Sequence, residues 1–488
     1  MGSFVKININ DLSMDNDIYP RIEKSPATIL DYTEKLRAGV EFPSIETQRI
    51  QENGTVKTII LDGYHRWQAY LAAYQQPEIS DNGQPNYSEI EANYWKDEIL
   101  DKVTHLNDLR LRSIELNLTH GIRLDRKDLK AQAEQIARDD PEHKLSAEKI
   151  AQKWGLARKT VSDWVSNIRA SQKAKRDRII FKLSMLGWTQ EEIAETTGIT
   201  QGRISQNINN GEIAKINNSI QDWLSQGKTV EEAAEKLEID ATLAWAIHLQ
   251  GKDDDTRLDL LTKGLNDEKI KLSPNCYDVW NYSKCMPLTG KNDYPGRIPG
   301  QLIINILYFF TSQGDLVIDP MAGGGTTLDA CLLMNRQNYS YDIIPSRDDI
   351  LYQDILLLVR KHKASLVFLD APYFLKKAKE YSLPEWMHTK DGFLIFMDKC
   401  VDACDVFLNK DGIVALLISD YVDYENPFNS IFSYEYLKSF MADGYVLLYK
   451  ISCPLSTEQY QSFDVTRAQN NKELLIRGRE LYILQKNG

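Results

Sequence analysis

The sequence predicts a multidomain chain in which an α+β segment, an all-α segment and a doubly wound α/β segment follow one another. Three observations predict it. Short strands mix with helices up to about residue 110; strand signals then almost vanish, and Ala, Glu, Gln and Lys recur at helical spacing to about residue 268; from there to the end apolar strands and helices alternate. At 488 residues the chain is too long for a single core, so domains are expected at 1–110, 111–268 and 269–488.

With 42% hydrophobic and 26% charged residues the chain reads as soluble and globular, and no apolar run approaches the roughly 18 residues of a membrane span. No membrane partner is expected. The first residues, MGSFVKININDLS, lack a charged-then-apolar leader, which places the protein in the cytoplasm of a bacterial or phage-infected cell, associated with the nucleoid. Cys276, Cys285, Cys331, Cys400, Cys404 and Cys453 form no CxxC pair, so reduced, mostly buried thiols are expected and no metal site. A net charge of −12 means that any DNA-binding surface must be a local basic patch.

In the first segment Val5 to Ile9 alternates, Ala27 to Arg37 has helical spacing, and the β-rich run Val56 to Leu61 enters Asp62-Gly-Tyr-His-Arg-Trp-Gln-Ala-Tyr70. A strand ending in a tight glycine turn that opens a helix, with His65 and Arg66 on its first turn, can hold a phosphate. Trp67 and Tyr70 read as an apolar helix face packed on the sheet. Gly63, Arg66 and Ala69 match a G-x-x-R-x-x-A box that resembles the ParB amino-terminal domain, in the superfamily that includes sulfiredoxin; Glu115, Asn117 and Arg123 loosely suggest a second family box. The resemblance implies CTP or ATP at Gly63, His65 and Arg66, or else a stable turn whose Arg66 pairs with a carboxylate.

The helical segment contains Ser146 to Val165, a helix with an apolar face, Gly155 at a bend and a second helix near Ala157; the arrangement recurs at Thr189 to Ile208 and more faintly at Thr229 to His248. That is the layout of a helix-turn-helix. The first two second helices offer Arg158, Lys159, Thr160 and Ser162, then Gln201, Arg203, Ser205 and Gln206, to base edges or phosphates. The third, Ala241-Thr-Leu-Ala-Trp-Ala-Ile, looks like a packing unit. Lys173, Lys175, Arg176 and Arg178, the densest basic run, read as a phosphate-contacting link or as a solvated face. Double-stranded DNA is the expected partner. Deleting 111–268 is expected to abolish DNA affinity and leave donor binding intact. A homodimer is compatible with the sequence.

In the last segment Val317 to Asp319, Tyr339 to Ile343, Leu366 to Leu369, Ile413 to Ile418, Tyr445 to Ile451 and Glu480 to Leu484 are expected strands. The first runs into Asp319, Pro320, Met321, Ala322, Gly323, Gly324, Gly325, Thr326 and Thr327, where glycines allow close approach of a ligand and a helix points its amino end at an anion. Asp342, closing the next strand, is placed for ribose hydroxyls; Asp354 is a candidate for an adenine amino group, in competition with Asp348 and Asp349. The third strand ends in Asp370, Ala371, Pro372, Tyr373 and Phe374. A carboxylate and the carbonyl of Ala371 accepting the two N–H bonds of an exocyclic amine would aim its lone pair at a methyl donor, with the ring of Tyr373 or Phe374 stacked on an extracted base. Lys376, Lys377 and Lys379 follow as backbone contacts or solvated side chains.

These motifs resemble the amino-group DNA methyltransferases, N6-adenine and N4-cytosine, with the donor motif at Asp319–Thr327 and the catalytic motif at Asp370–Tyr373, alanine standing in its second place. The resemblance implies a Rossmann-like fold, S-adenosylmethionine as cofactor and methyl transfer to a flipped base, adenine favoured. The rival reading is a nucleotide-switched, ParB-like DNA-binding regulator with an inactive methyltransferase fold. The short stretch between Asp342 and Leu366 predicts one abbreviated sheet element.

Overall fold

The computed structural model describes residues 4–21, 24–75, 87–119, 124–140, 144–209, 212–357, 362–377, 384–454 and 460–486. Two compact units divide the chain, Met1–Lys175 and Arg176–Gly488, and the division falls inside a single 28-residue helix, Arg158–Met185. Lys173 to Arg178, expected as a link between helix pairs, is therefore part of that helix.

The first unit holds strands β1 (Val5–Asn8), β2 (Leu12–Ser13), β3 (Ile45–Glu52), β4 (Thr55–Asp62), β5 (Glu89–Tyr94) and β6 (Leu100–Asp101), ordered β1-β5-β3-β4-β2 with β6 also on β3. Both faces of β3 and β4 are covered: alternation sends Ile45 and Ile60 to one cluster and Ile50, Ile59 and Leu61 to another, and Trp67 and Tyr70 pack against the first, with Ile7 and Ile9. Asn117 and Ser113, buried on helix Lys102–Thr119, both donate to the carbonyl of Leu61, at 3.0 and 2.6 Å, and fix the end of β4. Arg123 lies outside the described residues. The same helix supplies Leu111 and Ile114 to a second cluster with Ile150, Trp154, Val161 and Val165, so the helix pair Ala147–Trp154 and Arg158–Met185 begins in this unit's core.

The second unit is built on a seven-stranded sheet of β7 (Leu316–Asp319), β8 (Gln337–Asp342), β9 (Leu351–Tyr352), β10 (Ala364–Asp370), β11 (Leu408–Ile418), β12 (Tyr445–Ser452) and β13 (Glu480–Lys486), in the order β12-β13-β11-β10-β7-β8-β9. Strands β7 to β11 pair in parallel, and β13 runs antiparallel to both of its neighbours. The chain leaves β7 toward β8 and β9 on one side and crosses to β10 and β11 on the other, so the switch point lies between β7 and β10, at whose carboxyl ends ligands bind in such sheets. Leu366, Val367, Phe368 and Leu369 are all at most 1% exposed, the continuous apolar run of a strand covered on both faces. Among the described residues between Asp342 and β10, the two-residue β9 and a short 3-10 turn, Ile355–Leu357, are the only regular elements.

Helices Gln190–Thr197, Gln201–Asn209, Val230–Lys236 and Ala241–His248 belong to this same core: Ile193, Ile204, Ile220, Leu243 and Trp245 form one cluster with Val317, Leu328 and Phe368. Thr189 and Thr229 each close a capping box, with Glu192 and Glu232, and Gly198 ends the first helix in the left-handed region at φ +66°. Thr242 to Ile247 are all buried, as expected of a packing unit. Residues 111–165 hold a cluster of their own, whereas Ile180 to Leu261 pack into the core of the sheet, so removing 111–268 would take apolar cover from the second unit as well as the first helix pair. No described helix is long and apolar enough to cross a membrane. Cys331, Cys400, Cys404 and Cys453 are buried free thiols and Cys276 is exposed.

Candidate active site

Asp319 and Asp370 end the adjacent parallel strands β7 and β10 and line one cavity of about 420 Å³. Pro320, Met321, Ala322, Gly323, Gly324, Thr326, Thr327, Asp342, Asp354 and Pro372 line it too, so the glycine turn and the carboxylate of the later motif share a single space. Gly325, Ala371, Tyr373 and Phe374 stand behind this lining.

The turn needs its glycines for packing. Gly323 and Gly325 have φ of +49° and +80°, and a Cβ on them would come within 2.9 Å of the Tyr294 ring and 2.7 Å of Arg347 Nη1. Helix Thr326–Leu333 starts at Gly325 with no side-chain cap, which leaves its amino end to a ligand's anionic group.

Besides Asp370, three carboxylates give the cavity its acceptors. Asp342 accepts Gly323 N–H and Ile344 N–H, each at 2.8 Å, which fixes its orientation at the cavity wall; burial raises its pKa above the usual value. Asp354 accepts Leu356 N–H at 2.8 Å. Asp319 is 2% exposed; burial, with help from the negative charges of Asp370 and Asp342, pushes it up to about 7 against the opposing bonds of Thr327 and Met321 N–H. Because the folded-state value lies above the ordinary 3.8, the associated stability is complete below pH 4 and is lost as pH rises through 7. Asp319→Asn, which keeps an acceptor for Met321 N–H, is therefore expected to be more stable than the parent above pH 7, on the order of 3 kcal/mol. Thermal unfolding from acid to alkaline pH checks this through the gap between the two curves, which should close toward pH 4.

At the second motif the tyrosine hydroxyl donates to Asp370 Oδ1 at 2.8 Å. Phe374 is 1% exposed and meets Phe393 and Tyr421 edge-on, with centroids at 5.3 and 5.0 Å. Its ring is part of the core and is not available to stack on a base, because packing it there buries more apolar surface than a solvent-facing position would. The ring of Tyr373 is tied back to Asp370.

Buried charges missing from the sequence reading brace the donor side. Lys182 Nζ lies 2.8 Å from Asp329 Oδ1 and 3.0 Å from Asp349 Oδ2, and Arg347 binds both carboxylates at 2.6 Å. Asp329, on the helix that follows the glycine turn, also accepts Gly290 N–H at 2.8 Å. Burial alone would raise Asp329 and Asp349, but Lys182 and Arg347 hold both below the ordinary carboxylate value. A signal existed: Lys182 sits among Ile180, Phe181 and Leu183, and Asp329 among Leu328, Ala330 and Cys331, each a lone charge on an otherwise buried helix face. A further brace stacks Trp188 on Tyr339 at 4.9 Å and Tyr339 on His362 at 4.3 Å, with the Tyr339 hydroxyl donating to Glu192 at 2.7 Å.

In the first unit Gly63, His65 and Arg66 line a separate cavity of about 420 Å³. Gly63 has φ +98°, and Arg66 binds Asp62 at 2.7 Å and the carbonyls of Pro43 and Ser44 at 2.7 and 2.8 Å. His65 accepts Ser25 N–H at 3.3 Å, and burial lowers its pKa. Arg66 is thus committed to a carboxylate and two carbonyls, the arrangement of a stable turn.

Arg158, Lys159, Ser162, Gln201, Arg203 and Gln206 are exposed, and Thr160 and Ser205 are half-buried. Lys173 and Lys175 are exposed; Arg176 and Arg178 are half-buried, and Arg178 faces Glu238 at 3.8 Å. The side chains of Lys376, Lys377 and Lys379 lie outside the described residues.

The solved structures similar to parts of the chain include TrmN from Thermus thermophilus, 15% identical over 39% of this chain and 50% of its own, with a TM-score of 0.27. The chain thus spans about half the length of that protein. The N-methyltransferase NodS from Bradyrhizobium japonicum WM9, in complex with S-adenosyl-l-homocysteine, is 13% identical over 40% of this chain and 94% of its own, TM-score 0.26. The chromosome-partitioning protein ParB from Caulobacter crescentus, complexed to the centromeric parS site, is 16% identical over 47% of this chain and 96% of its own, TM-score 0.22. Scores this low carry no functional argument. No curated protein matches the chain significantly. The N6_N4_Mtase family, DNA methylase, matches residues 209–353, a stretch that includes Asp319–Thr327 and Asp342 and stops short of Asp354 and Asp370. That match supports methyl transfer as the chemistry of this region.

Proposed function

We propose that the second unit transfers a methyl group from S-adenosylmethionine to the exocyclic amine of a base in DNA, adenine N6 before cytosine N4. The observation that carries this reading is the single cavity that joins the Gly323 turn to Asp370. Its lining suits a nucleoside bearing an amino acid: carboxylate acceptors at Asp342 and Asp354 for ribose and base, and an uncapped helix amino end at Thr326 for a carboxylate. When bound, S-adenosylmethionine supplies a sulfonium methyl open to direct displacement. The protein's part is positioning and electrostatics. Asp370 accepts an N–H of the amine, whose lone pair is otherwise delocalised into the ring, and receives the proton that nitrogen sheds as it forms its fourth bond. Ala371 in place of a second proline keeps the backbone carbonyl as an acceptor. An acid at 370 favours adenine over cytosine. Transfer of labelled methyl groups to unmodified DNA, with the modified base then identified, tests the reading; no incorporation into any DNA would overturn it.

The helix pairs at Ala147–Met185 and Gln190–Asn209 are proposed as helix-turn-helix readers that hold duplex DNA for the enzyme. Because deletion would also uncover the core of the second unit, point variants are the test. Arg158→Ala with Lys159→Ala, and Arg203→Ala with Gln206→Ala, remove exposed side chains only. Each pair is expected to weaken duplex binding about tenfold at moderate salt, with the affinity for S-adenosylhomocysteine unchanged. Fluorescence anisotropy with duplex DNA reads the effect, and parental affinity in both pairs would remove these helices from the interface.

A further inference from the structure

Arg479, the residue before β13, is 4% exposed and far in sequence from Asp370, yet its positive charge acts on both Asp370 and Tyr373, whose hydroxyl donates to Asp370 Oδ1 at 2.8 Å. Its Nε donates to the carbonyl of Cys453 at 3.2 Å, which fixes the plane of the fork. A buried cation is costly unless paired. Burial opposes the charge on Arg479, and Tyr373 with Asp370 overturns that. Those two groups are what the cation is buried to meet.

We propose that Tyr373 and Arg479 are positioning residues which anchor one oxygen of Asp370, so that the carboxylate presents a fixed acceptor to the cavity it lines. Tyr373 then acts on Asp370 through its hydroxyl. A carboxylate free to rotate would meet an incoming amine in many orientations; one oxygen held by a hydroxyl, with a buried guanidinium acting on the pair, narrows that choice. The ionisable groups facing Asp370 are Tyr373 on the same turn, Asp319 at the tip of β7 and Arg479 ahead of β13, with Cys453 beside Arg479. Lys291, Arg297, Asp342 and Asp354 line the same cavity; Arg479 is the buried cation that acts on Asp370, so its loss makes protonation of the carboxylate easier.

The proposal rests on the amino-methylation reading. Its test uses the full chain, with kcat measured against pH for transfer to unmodified DNA and S-adenosylhomocysteine affinity measured by calorimetry. Tyr373→Phe is expected to lose about tenfold in kcat with donor affinity kept within about twofold. Arg479→Gln should move the acid limb of the pH profile up by about one unit, and Arg479→Lys should recover part of that shift. If Asp370→Ala is inactive while Tyr373→Phe and Arg479→Gln keep the parental kcat and pH profile, the proposal falls and the methylation reading stands. If Tyr373→Phe loses donor affinity as steeply as kcat, the pair serves the donor pocket or the fold and the proposal also falls. If the parent transfers no methyl group, the reading itself fails and takes the proposal with it.

Discussion

Asp370→Ala is expected to lower methyl transfer about a thousandfold while S-adenosylhomocysteine still binds. The size follows from what the residue does in the cavity. The carboxylate is the acceptor at the carboxyl end of β10, it lies next to the switch point, and its negative charge offsets the positive charge that develops on the amine nitrogen as the new bond forms. Alanine removes the acceptor and leaves the glycine turn, Asp342 and Asp354 in place, so donor binding should survive. Calorimetry with S-adenosylhomocysteine and single-turnover transfer to DNA separate the two. Full activity in the variant would mean that chemistry occurs elsewhere, and a parallel loss of donor affinity would mean that Asp370 serves the pocket and not the reaction.

Lys182→Met carries the largest expected cost in stability. The substitution keeps the apolar stem and removes the ammonium that sits 2.8 Å from Asp329 and 3.0 Å from Asp349. Two buried carboxylates then share Arg347 alone, and breaking a buried cluster by deleting one partner typically costs about 3–5 kcal/mol. The sign of the pH dependence follows from the pKa directions. Asp329 and Asp349 are held below the ordinary 3.8 in the folded chain, so their contribution is present above that value and is lost as pH falls through the folded-state values. The deficit of Lys182→Met relative to the parent should therefore be full at neutral pH and shrink below pH 4, as read by thermal unfolding. Asp329 also accepts Gly290 N–H beside the cavity, so donor affinity should fall together with stability. A variant as stable as the parent at pH 7 would show that the cluster is not a brace.

The same elements show which parts were legible beforehand. The strands at β7, β8, β10, β11, β12 and β13 announce themselves as apolar runs, and the Asp319–Thr327 turn by its three glycines, because propensity and turn chemistry act over a few residues. The shared cavity could be expected because both motifs end strands of one sheet. The roles of Tyr373 and Phe374 were not legible: both are aromatic and adjacent, and a three-dimensional neighbourhood sends one hydroxyl to Asp370 and the other ring into the core between Phe393 and Tyr421. The basic run at Lys173–Arg178 drew notice because it is dense, whereas Lys182, four residues on, carries more of the structure because it is alone and buried.

By itself, the order of residues determined where strands and helices form, where the chain turns on glycine, and which carboxylates end strands. All of these depend on neighbours within a turn or two. Only the tertiary structure decided that residues 176–268 share a core with the sheet while the helices before them pack elsewhere, that Lys182 meets Asp329 across 147 positions, and that Arg479 reaches the turn after β10. Burial and charge pairing act through space, and the sequence distance between partners leaves no local trace of them.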